Sequence, residues 1–379
     1  MKKPVSLYLH IPFCRDKCVY CDFHSFPCHQ GTMGEYMEGL KKEILLYEPI
    51  LREYHIPTIF FGGGTPSLLG ITEVKEILDS LQEHFFIDGD AEISLEGNPE
   101  SLTPEKLKGY KYAGVNRLSI GMQSHLPTLL KALGRLHTKE DFLRACHSAE
   151  TAGFENISVD VMFGLPDQTM EDFKGTLEFI NSLDIQHISA YGLIVSEETP
   201  LYDKIQRGEI SKPDEDLEGD MYEMLVNDMT DRGWDHYEIS NFAKDGHQCR
   251  HNRVYWENQE YIGLGLGAHS SFNDERFSNH EEMNAYLSSV KQGEIPVAER
   301  ERIATEERLR ESLILGLRMM EGIQMKDIEN RHQASLSPEM IRELQRNVRK
   351  GLLEEFPGGY RLTKQGLYLS NSVFRDLIG

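Results

Sequence analysis

Through the first half of the chain, short runs rich in β-branched and aromatic residues alternate with longer stretches whose apolar positions recur every three or four residues. The short runs predict six strands, at Ser6–Ile11, Thr58–Phe61, Glu92–Glu96, Arg117–Met122, Asn156–Met162 and His187–Gly192. Between them lie the helical patterns EYMEGLKKEILLYE, TEVKEILDSLQEHF, TPEKLKGYKYAG, KEDFLRACHSAETAG and MEDFKGTLEFINSL. Thr72 stands where the second helix needs its N-cap, and Gly114, Gly153 and Gly233 fall where helices should end. Six βα units in succession imply parallel strands joined by right-handed crossovers. Spacing alone leaves two α/β architectures open, a doubly wound sheet and a curl toward a barrel.

Beyond Gly192 the rhythm changes. Glu215–Asp231 reads as a sixth helix, and Trp234–Phe272, rich in aromatics, His and Gly, as mostly loop and short strand. A helix over Glu306–Met320 opens a C-terminal segment that ends in a helix, hairpin, helix order, the pattern of a small winged-helix-like α+β module. The expected organisation is a core over residues 1–235, a connecting region over 236–304 and the C-terminal module over 305–379. A chain of 379 residues exceeds the size at which one core usually stops growing, which fits more than one unit.

Net charge and cysteine usage narrow the picture. A balance of −22 argues against nucleic acid, whose phosphates are bound by Lys and Arg. No segment approaches the 18 apolar residues of a membrane span. The opening MKKPVSLYLHIPFC reads as a first strand rather than a signal peptide. Six cysteines, three of them bunched, do not make a secreted disulfide framework, so a cytoplasmic location is expected.

In parallel α/β folds, ligands sit at the carboxyl ends of the strands. Cys14, Cys18 and Cys21 follow the first strand, Gly62-Gly63-Gly64-Thr65 the second, Glu96 ends the third, Gln123 follows the fourth, and Asp160 lies on the fifth. Polar and glycine-rich groups from five strands therefore converge on one rim. Three thiolates on one loop suit an iron–sulfur cluster or zinc, with His10, His24 or His29 able to complete a tetrahedral Cys₃His site.

The spacing C-x-x-x-C-x-x-C behind a first strand, with Tyr20 before the last cysteine and the glycine run after the second strand, resembles the radical S-adenosylmethionine superfamily. That resemblance implies a partial (β/α)6 barrel. It also implies a [4Fe–4S] cluster on Cys14, Cys18 and Cys21, with one iron left open for S-adenosyl-L-methionine. The segments YLHIPFC, FFGGGTPSLL, RLSIGMQS, LGRLHT and DVMFGLPDQT are similar to the branch that contains oxygen-independent coproporphyrinogen III oxidase, over nearly the whole chain. Carried over from that branch as S-adenosylmethionine contacts are Tyr8, Tyr20, Gly63, Gly64, Thr65, Glu96, Gln123, Arg135, Asp160 and Ile194.

Two departures separate the chain from the oxidase proper. Asp22-Phe23 follows Cys21 where the oxidase has a fourth cysteine two residues on, and strand one starts at Ser6 with no long extension before it. The chain carries HNRVYW at 251–256 instead, and H-N-x-x-Y-W resembles the haem chaperone family. The resemblance implies haem bound through His251, with Tyr255 and Trp256 offering π-faces, and haem-accepting proteins as partners. Cys249, His247, His269 and the Cys28-His29 pair are rival ligands. The reading leaves room for a homodimer and for peripheral membrane contact through haem acceptors. Radical decarboxylation of coproporphyrinogen III is the alternative.

Overall fold

A computed structural model describes residues 2–28 and 30–378 of the chain. The six anticipated strands form as β1 Ser6–Ile11, β2 Tyr54–Gly63, β3 Ile87–Gly97, β4 Arg117–Gln123, β5 Ile157–Phe163 and β6 His187–Gly192. They pair in parallel in chain order, each with the next. Their runs are nearly all buried, five of six positions in β1 and six of seven in β4, because helices cover one face and the barrel interior lies on the other. Pro57 lies within β2 where the register to β3 shifts, the position at which a residue without an N–H is tolerated.

The large sheet also holds β7 Asp235–Glu238, β8 Asn241–Ala243, β9 Tyr261–Leu264, β10 His269–Phe272, β11 Glu275–Asn279 and β12 Val297–Arg302, and a two-residue strand Lys3–Pro4 pairs in parallel with the start of β2. The order is β7-β8-β6-β5-β4-β3-β2-β1-β9-β10-β11-β12. β6 and β1 therefore pair outward with β8 and β9 rather than with each other, so the six parallel strands form a partial (β/α)6 barrel. β9 runs parallel to β1, and β10 to β12 continue as an antiparallel meander.

Helix boundaries follow local chemistry. Thr138 with Asp141 and Thr169 with Asp172 close capping boxes, and Gly114, Gly153 and Gly233 sit at helix ends with φ of 114°, 88° and 82°. Thr72 is not the N-cap. The helix starts at Ile71 with Gly70 as cap, and Glu73, three residues on, curls back over Gly70 where a Cβ would meet its carboxylate. The anticipated Glu306–Met320 helix spans Thr305–Gly316. The chain then leaves the helix to bridge Met319 to Glu238, a contact sealed by the Arg318–Glu238 ion pair at 2.6 Å.

The C-terminal segment packs a core of its own around Leu313, Leu317, Met340, Leu344 and Leu377. Helix Pro338–Arg349, a hairpin of Leu353–Phe356 with Gly359–Leu362, and helix Ser370–Ile378 follow in the anticipated order, with Ile323–Gln324 as third strand. One region differs from expectation. Trp234–Phe272 supplies strands to both flanks of the barrel, but it also holds a helix at Arg250–Trp256. That helix has no side-chain cap from Cys249, the residue before it. Its first turn is capped from across the barrel by Glu92 of β3, which accepts from Arg250 N and His251 N, each at 3.0 Å. A cap 158 residues away in the chain leaves no local signature.

Candidate functional site

The cysteine loop is built onto the glycine turn after β2. Gly64 N donates to Ile11 O at 2.8 Å and Thr65 N to Phe13 O at 2.7 Å. A Cβ at residue 64 would stand 2.6 Å from Phe13 O, so only glycine permits this approach. At Gly63, φ is +109° and a Cβ would strike the His10 ring. The glycines thus hold the loop as well as lining the cleft. Thr65 Oγ1 lies 3.7 Å from Cys14 Sγ, and Arg135 Nη1 lies 3.7 Å from Cys18 Sγ. Arg135 Nη2 donates to Asn98 Oδ1 and Gly121 O, both at 2.7 Å, which fixes the guanidinium against the thiol.

Cys14, Cys18 and Cys21 line one cleft of about 140 Å³ with Tyr20, Gly63, Gly64, Thr65, Glu96, Gln123, Arg135 and Asp160. Gln123 reaches the cleft because the β4–β5 register shifts between Gly121 and Gln123, and its φ of 64° puts it in the left-handed region. Asp160 accepts from Ser119 Oγ at 3.0 Å, and burial still pushes its carboxyl up. Burial, with Asp160 beside it, pushes Glu96 up to about 8. At neutral pH Glu96 therefore keeps its proton and presents a donor.

The donor set fits a multi-iron cluster better than zinc. Cys14, Cys18 and Cys21 supply only three of the four ligands that a structural zinc takes. The histidines that would complete a zinc site are committed elsewhere. His10 contacts Tyr8 OH at 3.1 Å and His24 O at 2.8 Å, while His24 Nε2 lies 3.1 Å from Glu281 O. His29 lies outside the described residues.

A second cavity of about 560 Å³ shares Tyr20, Cys21, Phe23, Glu96, Ser119, Gln123 and Asp160 with the cleft and extends to Tyr8, Phe60, Met162, Tyr191, Ile194, His251 and Tyr255. This volume is within the range that takes a drug-sized ligand. Phe23 and Ile194, 65% and 78% exposed, form an apolar lip at its mouth, and Ser196 Oγ donates to Asp22 Oδ2 at 2.7 Å to tie the two loops together. All ten anticipated S-adenosylmethionine contacts thus stand around one or both cavities, with Tyr8 and Ile194 in the larger alone.

His251 is fully buried and lies in the wall of the larger cavity. Its ring stacks on Phe60 at 5.0 Å and meets Tyr255 edge-on at 5.2 Å. Burial, then the nearby Arg117 charge, holds the imidazole down to about 3, so it stays neutral. Helical spacing puts Tyr255 on the face of His251, four residues on. Trp256 turns the other way. It packs beside Tyr237 and Met319 with the Arg318 guanidinium 4.3 Å above its ring, so it offers the cavity no π-face.

The rival ligands are placed differently. Cys249 is buried outside the cavity with its thiol 3.6 Å from Glu92. His247 and His269 are half-buried and exposed elsewhere, and Cys28 lies off both cavities. The wall also contains residues that the motifs did not single out, notably Arg117, Ser119, Met162 and Tyr191. Alternation along RLSIGMQ carries the signal for two of them, because Arg117, Ser119, Gly121 and Gln123 share the inward face of β4.

Residues 8–180 match the model of the radical SAM superfamily, and residues 303–369 match the HemN C-terminal domain. A protein of Bacillus subtilis named haem chaperone HemW is 36% identical over 99% of this chain and 99% of its own length. The Escherichia coli protein of the same name is 33% identical over 98% and 97%. A solved coproporphyrinogen III oxidase (HemN) from Escherichia coli, described as a radical SAM enzyme, superimposes with a TM-score of 0.86 over 99% of this chain and 90% of that one, at 23% identity. That likeness carries the fold. With relatives above 30% identity along its full length, the chain belongs to the haem chaperone HemW family of radical SAM proteins.

Proposed function

We propose that the chain binds haem and hands it to haem-dependent proteins. The observation that carries this reading is a pair of adjoining cavities that share seven lining residues, one with a neutral imidazole in its wall and the other lined by three thiols. Neutral imidazole is the form that ligates iron. The apolar walls of Phe60, Met162, Leu193 and Ile194 suit a flat hydrophobic macrocycle.

Cys14, Cys18 and Cys21 would hold a [4Fe–4S] cluster, which when bound supplies an open iron for S-adenosylmethionine. The chain's own residues then divide the work. Asp160 and Gln123 take the hydroxyls of that ligand, Arg135 forks onto a carboxylate, and neutral Glu96 donates. Phe23, where the oxidase has a cysteine, adds apolar lip instead of a further sulfur. The partners would be haem-accepting proteins, reached directly or at a membrane surface, and a second copy of the chain is compatible with this arrangement.

The test is anaerobic reconstitution with iron and sulfide, followed by haem titration of wild type, Cys18→Ala and His251→Ala. The expected result is a cluster absorbance lost in Cys18→Ala and a Soret shift lost in His251→Ala. A wild type that decarboxylates coproporphyrinogen III under reducing conditions and leaves haem in solution would overturn the reading in favour of the oxidase.

A further inference from the structure

The imidazole of His251 is held by a hydrogen-bond relay that decides which nitrogen is free. Thr58 Oγ1, on β2, donates its one hydrogen to Ser6 Oγ on β1 at 2.8 Å. Thr58 Oγ1 also lies 2.7 Å from His251 Nδ1. With its hydrogen spent, the hydroxyl oxygen can only accept, so Nδ1 carries the imidazole proton. Nε2 is then left with the lone pair. It lies 2.9 Å from Tyr255 OH, and a nitrogen without a proton must be the acceptor there. The phenol donates to the atom that a metal would need. Ser6, Thr58 and His251 are all buried, so no water competes for these positions.

We infer that Thr58, seated by Ser6, is the positioning residue that fixes the ligating tautomer of His251, and that Tyr255 is a removable cap on its Nε2. This rests on the haem-binding reading above and goes beyond it by naming how the ligand atom is prepared and masked. Capture of iron breaks the Tyr255 O–H···Nε2 hydrogen bond and forms the dative N–Fe bond. The phenol keeps its proton, and no electron changes hands. A His251 already held in the ligating tautomer needs only this one exchange to take haem. The reverse exchange offers a way to let haem go, because the phenol is in place to retake the lone pair.

The experiment has one arm without haem. The chain is labelled with ¹⁵N-histidine, and the His251 signals are assigned by difference from His251→Ala. The wild-type apo protein is expected to show Nδ1 protonated and Nε2 bare. Thr58→Val, isosteric but unable to accept, is expected to move the proton to Nε2, and Thr58→Ser to restore it. In haem titrations followed by the Soret band, Thr58→Val should weaken binding about tenfold, with rescue in Thr58→Ser. Tyr255→Phe, which keeps the ring and deletes the cap, should tighten binding about fivefold, the factor one lost hydrogen bond supplies. An apo wild type protonated at Nε2, or haem binding lost in Tyr255→Phe, would overturn the inference. His251→Ala with an unchanged Soret band would sink haem ligation, and with it the cap's role. The apo spectra would still decide by themselves whether Thr58 sets the tautomer.

Discussion

Glu92 is the residue on which the position of His251 depends most directly. Its carboxylate accepts from Arg250 N and His251 N at 3.0 Å each and from the Cys249 thiol at 3.6 Å, so one side chain of β3 caps a helix that has no local cap. In Glu92→Ala the buried His251 N–H loses its acceptor at ~1–3 kcal/mol, and the part-buried Arg250 N–H loses its own at the low end of that range. The favourable meeting of a carboxylate with a helix N-terminus, another ~0.5–1 kcal/mol, is lost as well. About 4 kcal/mol is the central expectation. For a helix of seven residues, whose stability comes from its contacts rather than its length, that is enough to open it.

The consequence should be local before it is global. Hydrogen exchange of residues 250–256 in Glu92→Ala is expected to rise about a thousandfold, the factor that ~4 kcal/mol gives, while β4 and β5 exchange as in wild type. Haem affinity should fall with it, since the imidazole is no longer held against Phe60. Glu92→Gln keeps one acceptor oxygen and should lose about half as much. The measurement is exchange mass spectrometry on the three proteins, paired with haem titration. Unchanged exchange over 250–256 in Glu92→Ala would refute the claim that this helix is capped across the barrel.

Gly64→Ala should clear the cleft of metal without touching a thiol. Its Cβ would stand 2.6 Å from Phe13 O, and the expected outcome is reconstituted iron well below wild type in a chain destabilised by ~1–3 kcal/mol. Arg135→Lys replaces a fork that holds Asn98 and Gly121 with a point charge; S-adenosylmethionine affinity measured by calorimetry should drop about tenfold while iron content stays. Glu43 is fully buried and accepts from Gly265 N, Asn279 Nδ2 and Tyr286 OH, yet burial overrides the three donors and pushes it up to about 7. A carboxyl raised above its unfolded value favours the fold below the unfolded pKa, and that contribution fades as pH rises toward 7. Denaturant unfolding of wild type should therefore lose about 3 kcal/mol from this group between pH 4.5 and 7, and Glu43→Gln should not; parallel profiles for the two proteins would sink the assignment.

What is legible in the sequence is what the chain writes locally. Strands buried on both faces appear as unbroken apolar runs, and Gly114 and Gly153 mark helix ends because the left-handed cap is a one-residue requirement. The thiols were legible for the same reason, since a C-x-x-x-C-x-x-C loop carries its spacing in the sequence. The cap of helix Arg250–Trp256 was not, because Glu92 is a strand residue in its own neighbourhood and becomes a cap only when β3 lies beneath residue 250. Thr72 misled because the competing signal, Glu73 folding back over Gly70, depends on rotamer rather than on residue type.

The proposed haem ligand shows where the boundary between local and non-local information falls. HNRVYW and its neighbourhood offer Cys249 and His251 two residues apart, and nothing local chooses between a thiol and an imidazole. The choice is made by which helix face meets the cavity, and that follows from Glu92, which takes the Cys249 thiol to itself and turns His251 toward Phe60. Even then the imidazole has two nitrogens. The one that is bare is decided by a threonine and a serine on two other strands, neither of which resembles a site residue in any motif. A motif can therefore nominate the ligand, but register between β1, β2 and the helix is what makes one of its atoms ready to bind.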